Sequence, residues 1–162
     1  MRAIAAILIS IVLGAVIEAA TISYCITNKL IYYPSYSGGV LPMSDPKLDL
    51  IIDGFLGGLF GLFCGVAAWV ILKNAYVSRF NVGKFIFLPL IFGLVHSAVM
   101  AWLEYDNAVY GKETSALSDF QQKIILTTAV VEFITGVLIG LASVLIISVI
   151  VGRSSTRRDQ PT

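Results

Sequence analysis

The sequence predicts an all-α integral membrane protein, a single domain over residues 1–162 built as a four-helix transmembrane bundle. Three observations carry this expectation. The chain has 162 residues, of which 57% are hydrophobic and only 13% charged, about half the roughly 25% charge of soluble domains. Its mean hydropathy is +0.88. Its apolar residues gather into four runs, each close to the roughly 20 residues that a helix needs to cross a bilayer. A soluble fold is excluded because polar surface is too scarce to cover it, and the same composition excludes disorder.

The first span is residues 3–24, interrupted only by Glu18. It opens MRAIAAILISIVLGAVIEAA, an arginine followed by apolar residues, as a secretory leader does. Cleavage after Ala20 would place Glu18 at the −3 position, where a small residue belongs, so the segment reads as a retained helix. The second span, 50–72, carries no charge from residue 54 onward. The third, 84–103, has His96 as its one ionisable group beyond Lys84, and Pro89 frees the carbonyl near Phe85 and is expected to kink it. The fourth, 123–151, has Glu132 as its one ionisable group beyond Lys123. Residues 124–152 would extend roughly 44 Å as a helix, so this span must tilt or project beyond the bilayer.

Lysine and arginine placement sets the expected direction. With both termini inside, Arg2, Lys73, Arg79, Lys84, Arg153, Arg157 and Arg158 lie on the inner side, against Lys29, Lys47, Lys112 and Lys123 outside. Seven against four favours an N-in, C-in topology. Six of the seven tyrosines, Tyr24, Tyr32, Tyr33, Tyr36, Tyr105 and Tyr110, then fall on or near the outer side with Trp102, as an interfacial aromatic belt. The short NAYVSRFNVG connection makes the second and third helices antiparallel neighbours, and the RSSTRRDQPT tail is a basic stop sequence. Cys25 and Cys64 would lie roughly 20 Å apart in depth, too far for a disulfide. Both read as small packing residues.

Helix 2 reads DGFLGGLFGLFCGVAAW. At 100° per residue, Gly54, Gly57, Gly58, Gly61 and Gly65 fall on one face with Ala68, while Ile52, Leu56, Leu59 and Phe63 point away. Lipid gives helices no hydrophobic reason to associate, so close approach through small residues supplies the packing. This face makes helix 2 the expected central helix. Gly136 and Gly140 give helix 4 a smaller version. Packing within the chain is favoured over a dimer interface. A loose internal repeat is a further expectation: Gly14 lies 79 residues before Gly93, and FLGGLFGL from Phe55 resembles FITGVLIGL from Phe133. Two pseudo-repeated hairpins would follow.

Most functional information lies in Glu18, Asp53, His96 and Glu132, one per helix, because an ionisable group inside a span is costly and points to function by default. In the N-in topology Glu18, His96 and Glu132 sit roughly 5–13 Å below the outer boundary, with Asp53 at the outer start of helix 2. Thr128, Glu132, Thr135, Gly136 and Ser143 form a polar and small stripe on an otherwise aliphatic helix, so Thr128, Thr135 and Ser143 form its supporting polar face. Such a stripe faces the bundle or a water-filled cavity. Glu18 shares a face with Gly14, Thr21 and Cys25, and His96 with Gly93. These four ionisable residues are the ion- or proton-binding candidates. In the bland alternative, Asp53 caps its helix, Glu18 reaches the headgroups, and His96 and Glu132 share a hydrogen bond.

No catalytic residue is assigned, since Walker A, HExxH, GxSxG, CxxC and sequon motifs are absent. An enzyme is disfavoured. No cofactor is expected, with a metal at the Glu/His set as a minor alternative: two carboxylates and an imidazole suit iron, manganese or zinc. Net charge is +1, so no field draws nucleic acid. The expected partners are the lipid bilayer and other membrane subunits or further copies of the chain. The leading expectation is an accessory or assembly subunit of a membrane complex. The alternative is a small proton- or cation-coupled transporter. Short tails and the lack of sequons favour a bacterial inner membrane with both termini cytoplasmic.

Overall fold

A computed structural model describes residues 2–28, 46–75, 82–109 and 119–155. It contains four helices: α1 (Arg2–Thr27), α2 (Pro46–Ala75), α3 (Val82–Val109) and α4 (Asp119–Ser155). All four are long and apolar enough to cross a membrane. Each helix runs a few residues past its expected span, because the span was set by apolarity while helix formation continues into polar flanks such as EYDNAV and DFQQ. α2 opens on Pro46, whose fixed φ and missing N–H suit a first helical position. Asp119 in the first turn of α4 complements the positive end of the helix dipole. The tyrosine-rich YYPSYSGGVLP segment, Tyr110, and most of the NAYVSRFNVG connection and of the tail lie outside the described residues.

The side chains are sorted opposite to those of a water-soluble bundle. Ile4, Leu8, Val12 and Val16 of α1 are exposed, while Ala6, Ser10, Glu18, Ile22 and Cys25 are buried. The inward stripe is therefore mostly small or polar, with Ile22 the large apolar member among those named, and the outward stripe is large and apolar. The same sorting holds on α4, where Leu126, Val130, Ile134, Leu138, Leu141 and Leu145 face outward, and Thr128, Glu132, Thr135 and Ser143 inward. Beside these polar groups there is an apolar core, where Cys64 and Ala68 of α2 join Phe92 of α3 and Ile139 and Ile147 of α4. Cys25 and Cys64 are buried free thiols.

The helices pair as two tight hairpins. α1 packs mainly on α2 and α3 mainly on α4, and the hairpins meet through α4, which also packs on α1 and α2. The backbones of α2 and α3 approach closely at few points, and the two helices meet instead through side chains, Phe60 on His96 and Phe63 on Phe92. The helix that packs substantially on all three others is thus α4 rather than α2. The reason lies in the glycine face of α2, which is taken up by one close neighbour.

That neighbour is α1. A Cβ built on Gly61 would overlap the carbonyl of Ser10 and lie 3.2 Å from Gly14 Cα. One built on Gly14 would overlap the Gly57 carbonyl and lie 2.9 Å from Gly61 Cα. Backbone here meets backbone, which only glycine allows. Gly65 lies against Ser10, while Gly54 and Gly58 sit at ordinary contact distances, their missing Cβ atoms no nearer than 3.7 and 3.6 Å to a neighbour. In the second hairpin a Cβ on Gly136 would come within 3.0 Å of Gly93 Cα, and one on Gly140 within 2.8 Å of Phe92 and 3.2 Å of Pro89 Cα. α3 runs through Pro89, which is turned toward α4 at this crossing.

Gly61→Ala should therefore destabilise the folded bundle by about 1–3 kcal/mol, the usual cost of overpacking, while Gly54→Ala should be near neutral. Thermal unfolding in detergent, followed by tryptophan fluorescence, separates the two. Equal midpoints for both variants would contradict the backbone contact.

Candidate functional site

Glycine packing places the polar groups. A Cβ on Gly57 would overlap Glu18 Cβ, and one on Gly136 would lie 2.6 Å from His96 Cβ. Each glycine thus lets the side chain of a neighbouring helix start from very close to its own backbone. Glu18 leaves α1 beside Gly57, and His96 leaves α3 beside Gly136. Glu132 lies on α4 one turn before Gly136.

These three side chains converge. His96 Nε2 lies 3.2 Å from Glu18 Oε2 and 3.1 Å from Glu132 Oε2. With a proton on Nε2, the ring donates to both carboxylates from one nitrogen. The residues are 0%, 3% and 1% exposed for Glu18, His96 and Glu132, so these contacts are made out of reach of solvent. Three helices from two hairpins each supply one ionisable group. The fourth helix supplies a cover: the Phe60 ring of α2 stands 4.3 Å from the His96 ring, tilted by 36°. Glu18 Oε1 is buried with no hydrogen-bond partner, although its sister oxygen is engaged.

Of the four candidates from the sequence, the structure brings together Glu18, His96 and Glu132, and leaves Asp53 half-buried outside the set. Glu18 does not reach out of the bundle as the bland alternative has it. Its bond is to His96. The supporting face of α4 points inward: Thr128, Thr135 and Ser143 are all buried. Thr135 donates to the Val131 carbonyl at 3.0 Å, and the buried Ser143 hydroxyl has no partner. Of the packing glycines, Gly57, Gly61 and Gly65 meet α1, and Gly136 and Gly140 meet α3.

Three contributors escaped the sequence reading. Ser10 is fully buried and donates to the Ala6 carbonyl at 3.1 Å. Its four-residue spacing to Gly14 and Glu18 was the available signal. Ser97 donates across to the Ala129 carbonyl of α4 at 2.7 Å, pinning the helix turn that carries His96 to the turn before Glu132. Phe60 lies one turn beyond Gly57 and reads in sequence as one more apolar residue.

Chemically, the set offers two carboxylates and one imidazole in a dry site. It can hold and pass a proton, or it can hold a metal ion: its three ligand atoms all lie within 4.8 Å of one another. Removing one member leaves another buried and unpaired, which typically costs about 3–5 kcal/mol. His96→Leu should accordingly destabilise the bundle by that order. The double variant His96→Leu/Glu132→Leu should cost less than the sum of its single variants, since it removes both ends of a contact. Chemical denaturation in mixed micelles measures both; strict additivity would show that the contact contributes no coupling.

Comparison of the chain with protein-family models, with curated proteins and with solved structures finds no match.

Proposed function

We propose that the chain is a small membrane transporter that binds a proton or cation at Glu18, His96 and Glu132 and exchanges it between the two sides of the bilayer. One observation carries this reading: three ionisable groups from three spans are paired with one another in the interior of the bundle. Ionisable groups at membrane depth that pair with one another mark ion pathways and proton relays. A structural role needs no such set, because the glycine contacts already hold each hairpin together.

The division of the site gives the transport reading a moving part. Glu18 belongs to the hairpin α1–α2, and His96 and Glu132 to the hairpin α3–α4. Each hairpin is locked by close glycine contacts, while the two meet through α4 on α1 and α2, with the close glycine contacts lying within the hairpins. Rocking one hairpin against the other would open the site between them, as in transporters built from repeated halves. The hairpins read as such a repeat. Gly57 and Gly136 sit beside Glu18 and His96 respectively, Gly61 and Gly140 take the next crossing, and Gly14 and Gly93 are their partners. In this reading the bundle spans a bacterial inner membrane with both termini cytoplasmic, as the lysine and arginine distribution favours. Tyr24, Trp102 and Tyr105, all exposed, then lie near its outer face.

The accessory-subunit reading, which rests on a polar-poor chain with a glycine packing face and short termini, stands second, because the closest contacts of that face are made to α1 within the chain.

The test is flux in sealed proteoliposomes loaded with a pH-sensitive dye. Glu132→Gln should reduce proton or cation movement at least tenfold while expression, elution profile and helicity stay as in the parent chain. A variant that transports like the parent would retire the proposal.

A further inference from the structure

We infer that the Glu18–His96–Glu132 set is a binding site for a divalent first-row transition metal of the zinc type, which is then the substrate class of the transporter proposed above. The inference rests on that reading for what the ion is there for, and on the donor geometry for what the ion is.

The donors come first. One imidazole nitrogen faces two carboxylate oxygens at 3.2 and 3.1 Å. Zinc holds nitrogen at about 2.0–2.1 Å and oxygen at about 2.0–2.2 Å, so the ligand atoms of a tetrahedral site stand about 3.4 Å apart. A few tenths of an ångström of outward movement would fit the two nitrogen–oxygen pairs to this spacing. The two carboxylate oxygens would settle toward it from within 4.8 Å of each other, and the ring proton would sit on Nδ1 so that Nε2 is free to bind. A further oxygen lies on the same carboxylate: Glu18 Oε1 is buried with no hydrogen-bond partner among the described residues. Chelation through both Glu18 oxygens would give a distorted four-coordinate shell, since the oxygens of one carboxylate stand closer together than tetrahedral ligands do. A buried polar atom without a partner is uncommon and asks for an explanation. A metal ligand role supplies one.

Charge narrows the ion. Two carboxylates and a neutral imidazole carry two negative charges, and a divalent cation brings the set to neutrality inside an apolar bundle. A monovalent cation would leave one charge uncompensated in a medium where that is costly. Ligand type narrows it further. Calcium takes six to eight oxygen donors, and magnesium keeps several waters in an octahedral shell. A nearly closed site with three oxygens and one nitrogen suits neither. Mixed imidazole and carboxylate donors at low coordination number suit zinc, and cobalt in its place.

The positions of the ligands agree with this. Gly57 and Gly136 bring Glu18 and His96 in from opposite hairpins, and the Ser97 bond to Ala129 steadies the α3–α4 side of the site. The Phe60 ring stands beside His96, and the three ligand residues are themselves closed to solvent.

The test uses tag-free protein in detergent, so that His96 is the one imidazole in the sample. Cobalt(II) is titrated in and followed by visible absorption, with zinc competition and with calcium and magnesium as controls. The expected result is a single site per chain. Its d–d bands should have tetrahedral intensity and no thiolate charge-transfer band, and zinc should displace the cobalt while calcium and magnesium do not. Pulsed EPR with copper(II) should detect one imidazole nitrogen, which identifies His96 without any variant. Glu18→Gln should weaken cobalt binding by more than about 100-fold, the upper range for loss of a mere supporting partner. Lack of a saturable site in the parent chain, an octahedral spectrum, or a thiolate band would overturn the inference. Proteoliposome flux keeps the two proposals apart. Glu132-dependent flux without metal binding overturns the metal assignment and leaves the transporter standing. Metal binding without Glu132-dependent flux leaves the metal site standing and retires transport.

Discussion

Two helices in lipid approach only as far as their side chains allow, and at Gly14, Gly57 and Gly61 there is nothing between one backbone and the other. Lipid offers no hydrophobic gain for bringing them together, so the contact depends on dispersion between closely fitted surfaces. Everything else in the bundle is arranged around this contact and its counterpart at Gly93, Gly136 and Gly140. Because α1 and α2 lie so close, Glu18 projects from beside Gly57 toward the interior. Because α3 and α4 do the same, His96 projects from beside Gly136. The glycines thus act on the polar site indirectly: they make no bond to it, yet they set the origin of two of its three side chains.

The polar set has a different energetic character from this packing. Buried charges gain little net stability even when well paired, and a fitted apolar substitute often does as well. A set of three is therefore a poor way to hold four helices together, and the glycine contacts already do so. In the proposed transporter the set would serve exchange of a proton or ion, a role that the glycine contacts do not fill. The unpartnered oxygen of Glu18 points the same way, since a purely structural carboxylate would be expected to use both oxygens.

The sequence showed the four helices, because an apolar run of bilayer length has few other outcomes. It also marked Glu18, His96 and Glu132, because charge at depth is conspicuous against Val, Ile and Leu. Their convergence was not legible. Helical periodicity gives the angle of a residue around its own helix, but it does not say which helices are neighbours or how they are rotated. Asp53 shows the limit: it met the same compositional criterion and lies outside the set. The glycine face of α2 was visible and favoured packing within the chain, yet it did not say which helix it would meet. That it is taken up by α1, and that α4 takes the central position, follows from pairing information that one sequence lacks. Ser10 and Ser97 were missed for a related reason. A serine in an apolar helix can satisfy itself on its own backbone, as Ser10 does, so its presence alone does not separate packing from a cross-helix bond such as that of Ser97.

The division of the site between hairpins also bears on how the chain is made. Synthesis runs from the N-terminus, so α1 and α2 reach the bilayer before α3 and α4 exist. The glycine contacts of the first hairpin can form at once, since both sides of them are present. Glu18 must wait, because the His96 ring it meets lies 78 residues later in the chain. During that interval the first hairpin carries a lone carboxyl facing away from any finished interior. Arrival of the second hairpin both completes the site and removes this exposed liability. Completion of the site is thereby a record of complete insertion, and a chain truncated after α2 would present to membrane quality control a carboxyl group that the finished bundle conceals.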